Sequence, residues 1–400
     1  MKKIRIIGIG YRGLGQRELR YFEGAKKILG FKKTFELLED EETYDRFKNK
    51  FIKCSSLKEI LNAVENEEGE VVVLASGDPL YFGIANTLLR HFSKEVVEVI
   101  PDVSSLQLAG ALLREPWWEY KTVSFHGRQR DLEELIPELL SNKKLVVLTD
   151  NRLTPDKVAA FLLEQDMKEA VDFFVCERLG TDLQKVKDLD LEAAAKETFA
   201  YPNLIVLRLK NSHSRKLGFV EEDFSYKRGM ITKSEVRAVI LHKLELTETG
   251  VLWDIGAGSG SVGIEAAKVC PGMRVYAIEK DEEALKTLKV NRKKLGAFNV
   301  FPVKAEAPYG LETLPSPDRV FLGGSGGRLL EILNFLNSLK GLKLIVGVAV
   351  TLESLNTYLD FFKTNAWDFE VSEVFVTRAR GEGLLKGLNP IFVFKARRKR

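Results

Sequence analysis

Leu252-Trp253-Asp254-Ile255-Gly256-Ala257-Gly258-Ser259-Gly260 reads as a buried strand that ends in a glycine turn and runs straight into a helix from Ser261 to Val269. Three glycines at alternate positions let the backbone bend tightly and come close to a ligand, which a Cβ would block. The helix start then offers N–H groups that lack intrahelical partners. A second strand, from Arg274 to Ile278, ends in Glu279. In an α/β fold of this kind, an acidic residue after the second strand takes the two ribose hydroxyls of a nucleoside. A dinucleotide site has the spacing G-x-G-x-x-G; here it is Asp-x-Gly-x-Gly-x-Gly, with Asp254 ahead of the glycines. A lone glycine turn is often an ordinary strand–helix corner. Asp254 and Glu279, in register with three spaced glycines, narrow it to a nucleoside site.

The pattern resembles that of S-adenosylmethionine (SAM) methyltransferases, whose ligand has an amino-acid end and no pyrophosphate. The resemblance makes Asp254, Gly256, Ala257, Gly258, Ser259, Gly260 and Glu279 candidate cofactor residues.

Around this stretch lie 400 residues, enough for two domains with separate cores. Hydrophobic residues make up 45% and charged residues 30%, as in ordinary globular chains. No apolar run reaches the length of a membrane span. Met1-Lys2-Lys3-Ile4-Arg5 leads directly into a strand, so no secretory signal is expected. Cys54, Cys176 and Cys270 are far apart and odd in number, which suggests a reducing cytoplasm and no disulfide framework. Four histidines and no Cys-x-x-Cys argue against a metal site. A net charge of +4 is too small to imply nucleic acid by itself.

Lys3 to Ile9 is a run of apolar and β-branched residues, hence a buried parallel strand. It stops at Gly8-Ile9-Gly10-Tyr11-Arg12-Gly13, at the end of a strand where open α/β sheets bind ligands. Helix and strand patterns then alternate through 56–67, 71–75, 82–92 and 96–100. The strand from Val71 to Ala75 opens into Ser76-Gly77-Asp78-Pro79-Leu80-Tyr81-Phe82-Gly83. Gly77 permits close backbone approach and Pro79 fixes the turn, although Gly-Asp-Pro is also common turn chemistry. Pro101-Asp102-Val103-Ser104-Ser105-Leu106 is another strand end, where Ser104 or Ser105 could simply cap a helix. These segments, in order and followed by Ser124-Phe125-His126-Gly127-Arg128, resemble the tetrapyrrole methylase family and, within it, the corrin carbon-5 methyltransferases. The resemblance spans about Ile4 to Leu209. It implies that Gly8 and Gly10, Gly77, Asp78 and Pro79, and Ser104 and Ser105 line a SAM pocket between two α/β lobes. It also implies that the second lobe, around Tyr201-Pro202-Asn203, holds the adenosine end. Tyr11-Arg12 departs from the family's Gly-x-Gly-Pro-Gly, and Arg12 becomes a candidate for a substrate carboxylate.

Residues 211–227 are polar and small enough to link two domains. Thr232 followed by Glu235 predicts a capping box opening an amphipathic helix. This Thr-Lys-x-Glu-Val-Arg helix, the glycine turn, Ala277-Ile278-Glu279, Lys304-Ala305-Glu306-Ala307-Pro308 and Phe321-Leu322-Gly323-Gly324-Ser325-Gly326-Gly327 resemble the decarboxylating corrin carbon-15 methyltransferases. The resemblance covers about Gly218 to Phe394. It adds Thr232, Glu306 and Ala307 to the cofactor residues and turns Gly323 and Gly324 toward the methyl donor and its acceptor. Val374–Gly381 and Pro390–Phe394 read as two antiparallel edge strands, and 395–400 as a solvated basic end. Arg128, Arg228, Arg378 and Arg380 join Arg12 as candidates for substrate carboxylates, with solvated charge the plain alternative.

The fold class expected is α/β: an N-terminal tetrapyrrole methylase fold of two α/β lobes, residues 1–210, and a C-terminal Rossmann-like class I SAM-dependent methyltransferase, residues 228–400. Both halves in one chain resemble a family that methylates a precorrin at carbons 5 and 15 and removes the ring-C acetate as carbon dioxide, in cobalamin synthesis. That resemblance implies two SAM sites per chain, a precorrin or cobalt-precorrin substrate, and a cytoplasmic homo-oligomer, a tetramer through the C-terminal domain. No catalytic side chain is assigned, because transfer of an activated methyl needs chiefly orientation and exclusion of water. An RNA or protein methyltransferase is the alternative; a basic face with exposed aromatics would favour it.

Overall fold

The computed structural model describes residues 2–11, 13–38, 41–125, 131–210, 215–227, 229–365, 367–379 and 383–399, with 41 and 42 in backbone only. Its contacts divide the chain into two compact units. One comprises Met1–Gln129, Lys144–Ala160 and Asp172–Leu207; the other comprises Arg130–Lys143, Phe161–Val171 and Arg208–Arg400. The division is not sequential: the helix Leu135–Asn142 groups with the second unit although it precedes residue 210.

The first sheet consists of β1 (Lys3–Ile9), β2 (Lys27–Phe31), β3 (Phe51–Cys54), β4 (Glu70–Ser76) and β5 (Val97–Ile100), in the order β3-β2-β4-β1-β5. All four pairings are parallel. Continuous β-branched runs suit such a sheet, because both faces are covered. Ile4, Ile6, Val71 and Val73 pack with Ile60 and Leu88. Ile7, Ile9, Val72 and Leu74 pack with Phe22 and Phe35. Register pairs Gly8 with Ala75, Ile9 with Ser76 and Ile7 with Ile100. The loops after β1, β4 and β5 therefore leave one sheet edge side by side.

The second sheet holds β6 (Lys121–Ser124), β7 (Lys144–Leu148), β8 (Val171–Glu177), β9 (Lys185–Leu189) and β10 (Asn203–Leu209), ordered β6-β7-β10-β8-β9. Pro155 opens the helix Pro155–Glu164, at a position where its missing N–H costs no intrahelical bond. The helix expected over 82–92 begins only at Ala85. Phe82 sits at a left-handed φ of +52° and interrupts the run.

The third sheet is built from β11 (Gly250–Ile255), β12 (Met273–Glu279), β13 (Val300–Lys304), β14 (Arg319–Leu322), β15 (Leu344–Ala349), β16 (Trp367–Val374) and β19 (Ile391–Arg398); β17 (Thr377–Arg378) and β18 (Lys386–Gly387) form a separate short ribbon. The order is β13-β12-β11-β14-β15-β19-β16, with β13 to β15 parallel and β19 and β16 antiparallel. Strand order reverses between β11 and β14, which is where an open α/β sheet forms a ligand crevice. Leu252, Val275, Phe321 and Val346 from the sheet share a core with Ile240, Ile264 and Leu288 from helices.

The expected solvated tail is corrected here. β19 continues through Arg398, lies between β15 and β16 rather than at an edge, and buries Ala396 completely. Alternate residues of Lys395-Ala396-Arg397 face opposite sides, so one apolar residue among charges is enough to anchor the strand. Glu245 pairs with both Lys395 and Arg397.

Candidate functional site

In the second unit, β11 hands the chain to a turn in which Gly256, Gly258 and Gly260 hold φ of +71°, +56° and +79°. The N–H groups of Gly256 and Ala257 both donate to the Ile278 carbonyl, at 3.0 and 3.1 Å. A Cβ on Gly256 would lie 2.4 Å from the Gly324 carbonyl oxygen, so the turns after β11 and β14 meet backbone to backbone. The Gly323 N–H donates to Ile255 O at 2.9 Å. At Gly258 an added Cβ would meet nothing within 4 Å. The middle of the turn therefore faces open space while its ends are clamped.

Glu279 ends β12 directly beneath this turn. Its Oε2 accepts from the Gly258 N–H at 2.9 Å, and its Oε1 from the N–H groups of Lys280 and Asp281 at 2.8 and 2.9 Å. Asn291 is wholly buried and was not singled out from sequence. Its amide donates to Ser259 O at 2.9 Å and to Ser225 O at 2.8 Å, and accepts from the Ser225 N–H at 2.7 Å. It fastens the glycine turn to the segment before the helix Ser234–Leu244.

Asp254 is 1% exposed. Its Oδ2 accepts from the Gly263 N–H at 2.9 Å, while Oδ1 is buried without a partner. Burial, with a smaller contribution from the Glu279 charge, pushes its carboxyl up to about 7. A carboxyl raised in the folded chain stabilises it below its unfolded value and loses that contribution as pH rises through the folded value. Asp254→Asn is therefore expected to flatten the fall in stability between about pH 4 and about pH 7, read by thermal melts across that range. An unchanged slope would show that Asp254 does not titrate there.

The cleft, about 160 Å³, is lined by Gly256, Glu279, Lys280, Glu306, Ala307 and Gly324 among others. A glycine cradle that a Cβ would fill and an acidic strand end fit the ribose end of SAM, whereas Asp254, 1% exposed, does not line this cleft. Glu306 stands at the mouth, where its carboxylate accepts from Lys280 Nζ at 3.0 Å.

Thr232 lies just before the helix Ser234–Leu244, and the expected capping box is not made: the cap position is Lys233, with no side-chain bond. The Ser234 N–H instead donates to Glu221 Oε1 at 2.9 Å, and Glu235 turns to Arg378. Arg378 is thus engaged within the chain. Its guanidinium bonds Glu221 Oε1 at 2.9 Å, Glu235 Oε1 at 2.8 Å and Ser234 Oγ at 3.1 Å. Burial alone would raise the Glu221 carboxyl, but Arg378 and the Ser234 N–H outweigh it and hold it at about 2. The helix carries Val236, Ile240, Leu241 and Leu244 buried, but also Arg237 and Lys243, so it is not cleanly two-faced.

In the first unit, the three glycine-rich loops converge. A Cβ on Gly8 would fall 2.0 Å from Gly77 O and 2.6 Å from Asp102 N. The Gly77 N–H donates to Ile9 O at 2.9 Å, and Gly77 sits at φ +62°. Asp102, buried, accepts from the Tyr11 N–H at 2.9 Å and the Val103 N–H at 2.7 Å, tying the first loop to the third. Asp78 accepts from the Leu80 N–H at 2.8 Å beside Pro79. Ser104 caps the helix Ser105–Leu113 in a box with Gln107, and Ser105 is its first residue. The Tyr81 hydroxyl meets Thr122 Oγ1 at 2.9 Å, and burial pushes it up to about 12. A cleft of about 610 Å³ opens beside Gly10, walled by Tyr11, Leu37, Thr43, Gly180 and Asp182 among others. That volume is within the roughly 300–1,000 Å³ of small-molecule sites. Its walls include Gly10 but not Gly77, Asp78, Pro79, Ser104 or Ser105.

Arg12, Arg128, Arg228 and Arg380 lie outside the described residues. Among the described residues, no group of three metal-ligating side chains is found and no helix is long and apolar enough to cross a membrane.

Comparison with known proteins adds to this geometry. Residues 223–395 match a family described as a precorrin methyltransferase domain, and residues 3–195 match tetrapyrrole (corrin/porphyrin) methylases. A Sinorhizobium protein named precorrin-6Y C(5,15)-methyltransferase [decarboxylating] is 31% identical over 372 residues, 89% of this chain and 87% of its own. A Pyrobaculum calidifontis protein named a probable cobalt-precorrin-6B C(15)-methyltransferase (decarboxylating) is 40% identical over 45% of this chain and 95% of its own. A Methanocaldococcus jannaschii protein named a probable cobalt-precorrin-7 C(5)-methyltransferase is 29% identical over 51% of this chain and 96% of its own.

Proposed function

This chain belongs to the family of decarboxylating precorrin-6Y C(5,15)-methyltransferases, and from that premise we propose that it carries two SAM sites, one in each unit, that serve different carbons of one corrin precursor. Residues 1–210 methylate carbon 5. Residues 228–400, after a linker over 211–227, methylate carbon 15 and remove the ring-C acetate as carbon dioxide. The observation that carries the second site is the glycine turn whose central N–H rests on Glu279 at 2.9 Å while its outer side stays open. The same reading makes the protein a cytoplasmic homo-oligomer, a tetramer through the second unit. Its substrate is a small acidic macrocycle, free or cobalt-loaded, rather than a nucleic acid.

SAM, when bound, supplies a methyl already activated on a sulfonium. The residues of the chain then have two tasks. Glu279 holds the ribose hydroxyls, with Ala307 and the Glu306 segment beside the cleft. The turns at Gly256 and Gly324, packed backbone to backbone, fix the direction of transfer. Such positioning can account for about 7–11 kcal/mol of a barrier. In the decarboxylation, the bond between the acetate methylene and its carboxylate breaks, the conjugated ring takes the electron pair as carbon dioxide leaves, and a proton from water then returns to the methylene to give a methyl group. In the first unit, Gly8, Gly10, Gly77, Asp78, Pro79, Ser104 and Ser105 form the edge against which the other SAM sits. Thr232, Asp254, Ala257, Ser259 and Gly260 complete the cradle in the second.

Incubating the chain with SAM and a precorrin-6Y, metal-free or with cobalt, is expected to add two methyls and release one carbon dioxide per macrocycle, counted by mass. Addition of a single methyl would remove the two-site reading. Methylation of an RNA or a protein with the macrocycle untouched would replace it.

A further inference from the structure

Resting on the reading of the second unit as the carbon-15 site, we propose that Arg328, held against Tyr309, is the side chain that receives a peripheral carboxylate of the macrocycle there, in a position now filled by Glu306 and Glu331.

Three loops at the carboxyl edge of the third sheet meet at the mouth of the SAM cleft. Lys280 follows β12, Glu306 and Tyr309 follow β13, and Arg328 and Glu331 follow the Gly323–Gly327 turn after β14. Glu306 Oε1 lies 3.0 Å from Lys280 Nζ and 3.5 Å from Arg328 Nε. Arg328 Nη1 lies 3.1 Å from Glu331 Oε2, and the Tyr309 hydroxyl donates to the same oxygen at 3.2 Å. The guanidinium carbon is 5.4 Å from the centre of the Tyr309 ring. The arginine is therefore oriented by an aromatic face as well as by charge.

Two features mark this cluster as exchangeable rather than structural. Every member is substantially exposed, between 36% and 51% for the four charged side chains. Ion pairs so exposed add little to stability, and an incoming carboxylate can replace them at small cost. Arg328 Nη2 has no partner among the described residues, so the planar fork is only partly used. A guanidinium fork binds a carboxylate in two parallel bonds, which an ammonium such as Lys280 cannot do.

The surroundings match an acidic macrocycle rather than a small acid. Tyr309, Leu330, Val350 and Leu352 are 59%, 54%, 71% and 76% exposed. They follow β13, β14 and β15 in turn, along the same edge as Gly324. A flat conjugated ring lies on such apolar side chains while its acetate and propionate arms need cations at the rim. Arg328 closes the turn that abuts Gly256; Lys280 lies against the same turn at Gly326, but it has no fork to offer a carboxylate.

The test uses the full chain, SAM and a metal-free precorrin, with carbon-5 methylation as the internal control. Arg328→Ala is expected to raise KM for carbon-15 methylation about tenfold or more, with kcat changed by less than about threefold. SAM affinity and melting temperature should stay as in the wild type, as should carbon-5 methylation of a macrocycle already methylated at carbon 15. Arg328→Lys should recover only part of the loss. Glu331→Gln should lower KM, because it removes the competing carboxylate; a merely structural cluster predicts no such gain. An unchanged KM in Arg328→Ala, or a loss of SAM affinity in step with activity, overturns the anchor. A wild-type chain that never methylates carbon 15 overturns the underlying reading and the anchor with it, so the two failures are told apart.

Discussion

Glu279→Ala is expected to reduce SAM stoichiometry from two per chain to one, with the surviving site in the first unit. Two things are lost at once. On the proposed reading the carboxylate no longer accepts from the ribose hydroxyls, and each charge-assisted bond of that kind contributes about 1.5–3 kcal/mol. Two such bonds correspond to a loss of roughly 10²–10⁴ in affinity. In addition, the N–H of Gly258 loses the acceptor that it now has at 2.9 Å, as do those of Lys280 and Asp281. Gly258, with nothing near its missing Cβ, then loses its hold, although Asn291 still fastens Ser259 beside it. Glu279→Gln keeps one acceptor oxygen and is expected to fall between wild type and alanine. Calorimetry with SAM reads both numbers. Two undiminished sites in Glu279→Ala would place the ribose elsewhere.

The elements of this site that could be read from sequence are those whose chemistry is local. Gly256, Gly258 and Gly260 had to be glycines because their φ values are left-handed, and a run of three at alternate positions shows that directly. Gly8 was legible as a strand end, although not the reason for it, a carbonyl 2.0 Å from where its Cβ would stand. The β-branched runs of β1 and β4 announced buried strands. The paired hydroxyls of Ser104 and Ser105 announced a cap, and Ser104 is the one that makes it.

What stayed hidden depends on partners distant in sequence. Arg378 lies 157 residues from Glu221, and nothing in Thr-Arg-Ala-Arg says that its guanidinium is taken. The same pair explains the failed capping box: with Glu221 supplying an acceptor to Ser234 from another segment, Thr232 was not needed and Glu235 was free to turn away. Asn291 sits in a charged helix, Glu282–Leu295, where an amide reads as one more solvated residue. The basic run at 395–398 concealed a strand because charged side chains on a strand next to the edge still find Glu245 and Glu370. Arg328 was hidden for another reason: after five residues rich in glycine, its helix-start position looked like punctuation.

The largest effect on stability is expected at Arg237, which is fully buried beside a nearly buried Glu265. Its Nε donates to Glu265 Oε2, its Nη1 to Thr232 O at 2.8 Å and its Nη2 to Phe219 O. Glu265 Oε1 accepts in turn from the Gly218 N–H at 2.6 Å. The pair therefore joins three stretches of the second unit: residues 218–219, the approach to the helix Ser234–Leu244, and the helix Ser261–Val269 that follows the glycine turn. Removing one partner strands the other charge in an apolar site, which costs about 3–5 kcal/mol. Arg237→Ala is expected to lose that much, and Glu265→Ala a similar amount. Replacing both with Met and Leu is expected to restore most of it, because neither charge is then left unpaired. Urea titrations of the wild type, the two single variants and Arg237→Ala with Glu265→Ala, followed by fluorescence, close the double-mutant cycle, and the Met and Leu chain is titrated beside them. Equal, additive losses from the two single changes would mean that the charges do not act as a pair, and the approach to Thr232 would then have to be held by something else.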